Sequence, residues 1–178
     1  MKAHFKPIPP VESNLFKAVL QENDIEFEYP WHYHPEFELT YILSSHGIRH
    51  VGNNIENFFE DDLVLIGSNL PHCWISSAIR DQPASAVVVY LKNDFLDKTW
   101  MESCEFEGIR RMLALSGKGI RFSRSVALRV KEQMLALPKL PPLEKLISLL
   151  RILQELSSTN HYILLSADDF SYELNMSN

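Results

Sequence analysis

A chain of 178 residues is long enough for one well-packed domain, or for one domain with an appendage. Its hydrophobic share of 46% and charged share of 22% are ordinary for a globular protein, and a net charge of −6 argues against a nucleic-acid surface in these residues. No apolar run is long enough to cross a bilayer, Lys2 and Lys6 are not followed by a secretory apolar segment, and the distant Cys73 and Cys104 are expected to be free thiols, so a cytoplasmic protein is expected.

Residues 1–24 carry Pro7, Pro9 and Pro10, which do not hold helix. They predict an extended arm with a helical turn near 14–20. Residues 25–29 alternate apolar and polar, a strand signal, and Pro30 ends it. Strands are expected at 36–43, 48–51, 55–59, 63–66, 73–78 and 86–91. The turns between them are marked by Gly47, Gly52, Asn53, Asp61, Asp62, Gly67, Asn69 and Pro83. Short strands at such close intervals predict a sandwich or barrel over 1–92.

From residue 93 the pattern becomes helical. Residues 93–115 read as partly helical, Gly117 and Gly119 break the pattern, and 120–122 bridge to a helix that Ser123 or Ser125 can cap. That helix runs to Leu137, with Val126, Val130, Met134 and Leu137 along one side. A second helix is expected at 143–156. Residues 161–178 lose periodicity and read as a linker.

The stretch from Trp31 to Trp74 holds the chemistry. His32 and His34 stand two residues apart and share a face of an extended strand. If that strand runs on without a bulge, Glu36, Glu38, Thr40 and Ile42 share the same face, and Phe37, Leu39, Tyr41 and Leu43 take the other. His72 follows after the hairpins. Imidazole and carboxylate are the ordinary ligands of Zn, Ni, Fe and Mn, so His32, His34, Glu38 and His72 are the candidate ligands of one divalent transition metal. An alternative stays open: a polar cavity in which the same side chains bond to one another without metal. Glu36 reads as a rim or solvent residue, and His46 and His50 as surface residues. Arg49 and Trp74 are candidate ligand-binding residues, with a solvated arginine and a core indole as their bland alternatives. There is no phosphate loop and no nucleophile elbow, so no catalytic residue is assigned.

The order His32-x-His34-x-x-x-Glu38, then Pro71-His72 after a hairpin, resembles the two short motifs of the cupin superfamily. The wider text, including Pro30 to Thr40, Val51-Gly52-Asn53, Asp61 to Trp74 and Gly119 to Ser123, resembles the N-terminal sensory domain of AraC-family transcription regulators. The resemblance implies a mainly β fold with C-terminal helices: a cupin-like, double-stranded β-helix or jelly-roll barrel over 1–92, then a helical hairpin over 93–160 that dimerises and packs on the barrel. It also implies a small-molecule effector, sugar-like among the candidates. DNA would be bound only by a helix-turn-helix domain reached through 161–178, and these residues would be a piece of a regulator or a regulator without that domain. The glycine before His32 in the cupin pattern is absent, as are the glycine before His72 and the asparagine after it.

Three functions follow from this reading. One is an effector-sensing, dimerising domain without enzymatic activity, and it is the one expected. The second is a small metal-dependent cupin enzyme, a dioxygenase or sugar isomerase. The third is a bare dimerisation module. At about 100° per residue, the apolar positions of 143–156 cover an arc of about 220°, wider than one sheet can bury. Leu146, Leu149, Leu150 and Leu153 are therefore the expected contacts of a homodimer.

Overall fold

The structure, a computed structural model, describes residues 3–9, 15–24, 30–77 and 83–167. Among the described residues, eleven strands form two sheets. The five-stranded sheet contains β1 (His4–Phe5), β3 (His32–Tyr33), β8 (His72–Ser76), β5 (Gly47–Val51) and β6 (Asn54–Phe58), in that spatial order. The six-stranded sheet runs β11 (Tyr162–Leu164), β10 (Ile120–Phe122), β7 (Leu63–Ile66), β4 (Phe37–Ser44), β9 (Ala84–Leu91) and β2 (Phe16–Asp24). Pairing is antiparallel except for β1 with β3. The architecture is the expected cupin-like barrel followed by helices.

The apolar character of β7 and β9 follows from burial on both faces. Val64, Ile66, Val88 and Tyr90 face the barrel interior, where they pack with Ile42, Val51, Phe58 and Trp74. Leu63, Leu65, Val87 and Val89 face outward with Leu39 and Tyr41, against the helices. The period of two read from the sequence holds along β4: Leu39 and Tyr41 face the helices, while Glu38, Thr40 and Ile42 line the interior cavity. The helices are α1 (Lys98–Glu102), α2 (Glu107–Leu115), α3 (Arg124–Ala136) and α4 (Pro142–Ser157). Val126, Val130 and Met134 of α3 and Leu149, Ile152, Leu153 and Leu156 of α4 complete that outer core.

Several expectations need correction. The helical turn near 14–20 is instead part of β2 in its described residues, because Phe16, Ala18 and Leu20 pack on the outer core and pair with β9 from Phe16↔Leu91. Long-range pairing overrides local propensity here. The strand expected at 25–29 lies outside the described residues, as do 168–178. Residues 120–122 and 162–164 pair with each other as β10 and β11, so part of the region expected to be only helix or linker extends the sheet. Ser123 occupies the N-cap position of α3, but its hydroxyl makes no capping bond and meets Ser125 Oγ at 3.0 Å.

The four leucines of α4 divide. Leu149 and Leu153 are fully buried in the chain's own core, so they are not surface contacts. Leu146 and Leu150 are half-buried. The excess apolar arc is carried instead by Leu143 and Ile147, 69% and 43% exposed.

Candidate metal centre

His32 and His72 are direct register partners between β3 and β8, with ring centroids 4.4 Å apart. The strand does not run on past His34. The chain bends at Pro35 and Glu36 and crosses to the other sheet as β4, which brings Glu38 against the histidines from the opposite wall. Two contacts fix the turn before His72. Asn69, with φ of 58°, donates its N–H to the His34 carbonyl at 2.8 Å. Gly67 donates to Ser116 O at 2.8 Å, and a Cβ there would stand 2.6 Å from the backbone of Ser116 and Gly117.

His32, His34, Glu38 and His72 are all buried, and each offers one donor atom such that all four lie within 4.8 Å of one another. Donors bound to one ion at about 2.1 Å stand about 3–4 Å apart, so little movement separates this set from a coordination shell. At two of the three histidines the protons are already placed for it. His32 Nδ1 donates to Pro30 O at 2.8 Å, and His72 Nδ1 donates to Leu70 O at 2.8 Å. Each Nε2 is thereby left as the lone-pair nitrogen facing the centre. His72 Nε2 is buried without a hydrogen-bond partner, 3.4 Å from Glu38 Oε2. Thr40 Oγ1 donates to Glu38 Oε1 at 2.7 Å, which leaves Oε2 for the histidines, with His34 Nε2 at 3.1 Å.

Electrostatics agree with this donor set. Burial and the neighbouring His72 push His32 down to about 3, so its imidazole is neutral at physiological pH. Burial alone would raise the Glu38 carboxyl, but His72 and His34 hold it well below the usual range, so it is ionised. A neutral imidazole at His32 and an ionised carboxylate at Glu38 are the forms that bind metal. The residues present fit a divalent transition ion.

Beside His32 and Glu38 lies a cavity of about 30 Å³, lined also by Lys6, Trp74 and Tyr90. Trp74 therefore sits at the site, and its buried indole Nε1 has no hydrogen-bond partner. Lys6 reaches the site because β1 pairs with β3 and Lys6 N–H donates to Tyr33 O at 3.0 Å. Burial lowers its ammonium and Glu38 opposes the shift. Nothing in the proline-broken arm marked Lys6 in the sequence, and Tyr90 was legible only as an alternate residue of an apolar strand.

Arg49 does not line this cavity. It is fully buried, paired to Asp62 and to Glu56, its cross-strand neighbour on β6, with Nη2 to Oε2 at 3.0 Å. Glu36 is closer to the centre than a solvent residue would be, with Oε2 at 3.4 Å from His34 Nδ1. His46 is exposed, whereas His50 is half-buried and stacks on Trp31 with centroids 4.0 Å apart. Cys73 and Cys104 are free. Among the described residues, no helix is long and apolar enough to cross a membrane.

No protein-family model matches the sequence, and no curated protein does. Solved structures with similar folds include apo ToxT, a point variant from Vibrio cholerae strain SCE256, at a TM-score of 0.50 and 11% identity over 80% of this chain. They also include a mutant of Bacillus subtilis oxalate decarboxylase OxdC (TM-score 0.37, 19% identity, 49% of this chain) and DMSP lyase DddQ from Ruegeria pomeroyi DSS-3 (0.36, 22%, 51%). The chain spans 54%, 24% and 45% of the lengths of those three proteins. The resemblance to AraC-type sensory domains and to cupin barrels thus stands at the level of fold. The expectation of a chain without enzymatic activity does not stand. The similar folds include two enzymes as well as ToxT, and a buried His₃Glu set that could hold a metal is assembled here.

Proposed function

We propose that this chain is the cytoplasmic effector-sensing barrel of an AraC-type transcription regulator, in which a divalent metal on His32, His34, Glu38 and His72 helps to hold a small molecule. The observation that supports it best is the convergence of these four donors inside a barrel whose outer sheet face is covered by helices. When bound, Zn, Ni, Fe or Mn would supply a Lewis-acidic point with positions open to an oxygen donor. The chain's own residues do the rest. Pro30 O and Leu70 O set the tautomers of two histidines, Thr40 orients Glu38, and Ile42, Val88 and Trp74 exclude water. Two copies would pair through the strip of Leu143, Ile147, Leu146 and Leu150 on α4, and DNA would be read by a helix-turn-helix domain outside these residues.

A second reading is a metal-dependent cupin enzyme, a dioxygenase or sugar isomerase. The cavity adjoining the donors favours it, since substrate could reach open coordination positions there. One experiment separates the two. Chelator-stripped protein is loaded with each metal, then a panel of sugars and organic acids is examined by calorimetry and by mass spectrometry of the products. Saturable binding without turnover supports the sensor, turnover supports the enzyme, and failure to take up any of the four metals sinks both.

A further inference from the structure

After α4 the chain returns to the barrel and meets the metal centre from behind. β11 lies at the end of its sheet and pairs with β10 alone among the described residues, with Ile163 and Leu164 44% and 38% exposed. Just past it the chain turns inward. Leu165 is buried in the inner core of the barrel, the cluster that holds Val51, Phe58 and Trp74. Leu165 N–H donates to Gly119 O at 3.0 Å, and Ser166 N–H to Lys118 O at 2.7 Å. Ser166 Oγ donates to Val51 O at 3.2 Å, and Ala167 N–H to Asn53 Oδ1 at 3.2 Å. One apolar anchor and four bonds thus strap residues 165–167 to the β5–β6 hairpin and to the turn before β10.

Both attachments lead to metal donors. Val51 is the register partner of His72, so the two side chains are direct neighbours on the interior face. Gly119 closes on Val51 as well: its φ is 69°, and a Cβ there would stand 2.8 Å from Val51 Cγ1 and 3.4 Å from Leu165 Cβ. Val51 therefore joins a metal donor to the strap. The turn before β10 reaches a second donor. Ser116 O accepts from Gly119 N–H and from Gly67 N–H, each at 2.8 Å, and two residues past Gly67 the Asn69 N–H holds the His34 carbonyl. A three-residue edge strand with two exposed side chains opens at far lower cost than the whole fold. Opening it takes packing and a hydrogen bond from Val51, beside His72. The closed strap and a bound ion thus favour the same placement of His72, and such coupling is reciprocal.

Building on the metal-barrel reading above, we propose that residues 165–167 are a positioning strap for the metal centre: they hold His72 through Val51, and an ion on the four donors holds them closed in return. Leu165 and Ser166 are positioning residues, acting on the donor through its neighbour. The chain beyond Ala167 leaves from a point whose attachment depends on the ion.

The test uses the full chain, stripped by a chelator and then loaded with Zn²⁺, Ni²⁺, Fe²⁺ or Mn²⁺, whichever it takes up. Backbone hydrogen exchange is followed at Leu165, Ser166 and Ala167, with Leu153 of α4 as the reference for global unfolding. In the stripped protein the strap amides should exchange faster than Leu153, and loading should slow them at least about fivefold. Leu165→Ala should weaken ion binding about fivefold or more in a chelator competition, and Leu165→Met, which conserves volume, should restore most of the loss. Strap amides that exchange at the same rate with and without the ion overturn the proposal, as do strap amides no faster than Leu153 in the stripped protein. Wild-type ion affinity in Leu165→Ala overturns it too. The exchange comparison is made on the unaltered chain, so it decides the matter even if a variant fails to fold. Uptake of none of the four ions overturns the metal-barrel reading and this inference with it, whereas uptake without slowing at the strap overturns this inference alone.

Discussion

His34 Nδ1 lies 3.4 Å from Glu36 Oε2, and neither buried atom has a hydrogen-bond partner. The opposite nitrogen, His34 Nε2, is 3.1 Å from Glu38 Oε2 and donates to it while no metal is bound. To coordinate, Nε2 must give up that proton, and the tautomer that results carries it on Nδ1, facing Glu36. A carboxylate behind a metal-bound histidine fixes the ring and raises its basicity. Glu36→Gln keeps an acceptor but removes the charge, so metal affinity should fall about tenfold, the low end for such partners. Competition against a chelator of known affinity measures it, and an unchanged affinity would show that Glu36 plays no part.

Metal should stabilise the fold. At a free concentration of about 100 times Kd, one site adds about 2.7 kcal/mol, which for a chain of this size raises Tm by about 5–10 °C. A chelator should reverse the rise, and His72→Ala should abolish it. Calorimetric melting of stripped and loaded protein tests this; a rise that survives His72→Ala would place the ion elsewhere.

Asp61 ties the barrel to α3. It accepts from Tyr41 Oη at 2.8 Å, Lys131 Nζ at 2.9 Å and Arg124 Nη2 at 2.9 Å. Burial would raise its carboxyl, but the bonds from Lys131, Tyr41 and Arg124 outweigh that and hold it below the usual value. A group depressed on folding stabilises above its unfolded pKa, about 3.9, and loses that contribution as pH falls through the folded value. Asn tolerates the φ of 65° at this position. Asp61→Asn should therefore cost about 1–3 kcal/mol at pH 7, and the gap to the wild type should narrow below about pH 4. Urea titrations across pH measure the gap; a gap independent of pH would reject the ionic account.

On α4, Ile147→Glu and Leu153→Ala should behave differently. Ile147 is 43% exposed, so a charge there should convert a dimer to a monomer with little loss of Tm. Leu153 is fully buried, and truncating it should cost about 2–5 kcal/mol. Sedimentation and melting of both variants separate the effects. A wild type that sediments as a monomer at micromolar concentration removes the dimer.

The four donors were legible because they leave short-range marks, two histidines at the period of a strand, a carboxylate four residues on and a histidine after the hairpins, but the bend at Pro35 and Glu36 that carries Glu38 to the opposite wall was not. The outer and inner faces of β4 were legible from the period of two. Lys6 was not, because its position depends on the parallel pairing His4↔His32, a contact across the chain that no local pattern encodes. Arg49 looked like a ligand anchor because its partners, Asp62 and Glu56, are supplied by a neighbouring turn and strand. The α4 arc announced a surplus of apolar surface, but only packing against α3 and the sheet decides that Leu149 and Leu153 turn inward and Leu143 and Ile147 outward.

The pairing of β10 with β7 has a consequence for how the chain is made. β7 ends at Ile66, yet its partner on one side, β10, is not synthesised until Phe122. During synthesis, Leu63–Ile66 thus keeps one open edge of unpaired N–H and C=O groups while the intervening residues emerge. Closing it requires a contact between segments far apart in sequence, the kind that folds slowly. The interval between Ile66 and Phe122 is when a nascent chain is most exposed to edge-to-edge association, and overexpression at reduced temperature should favour its soluble form.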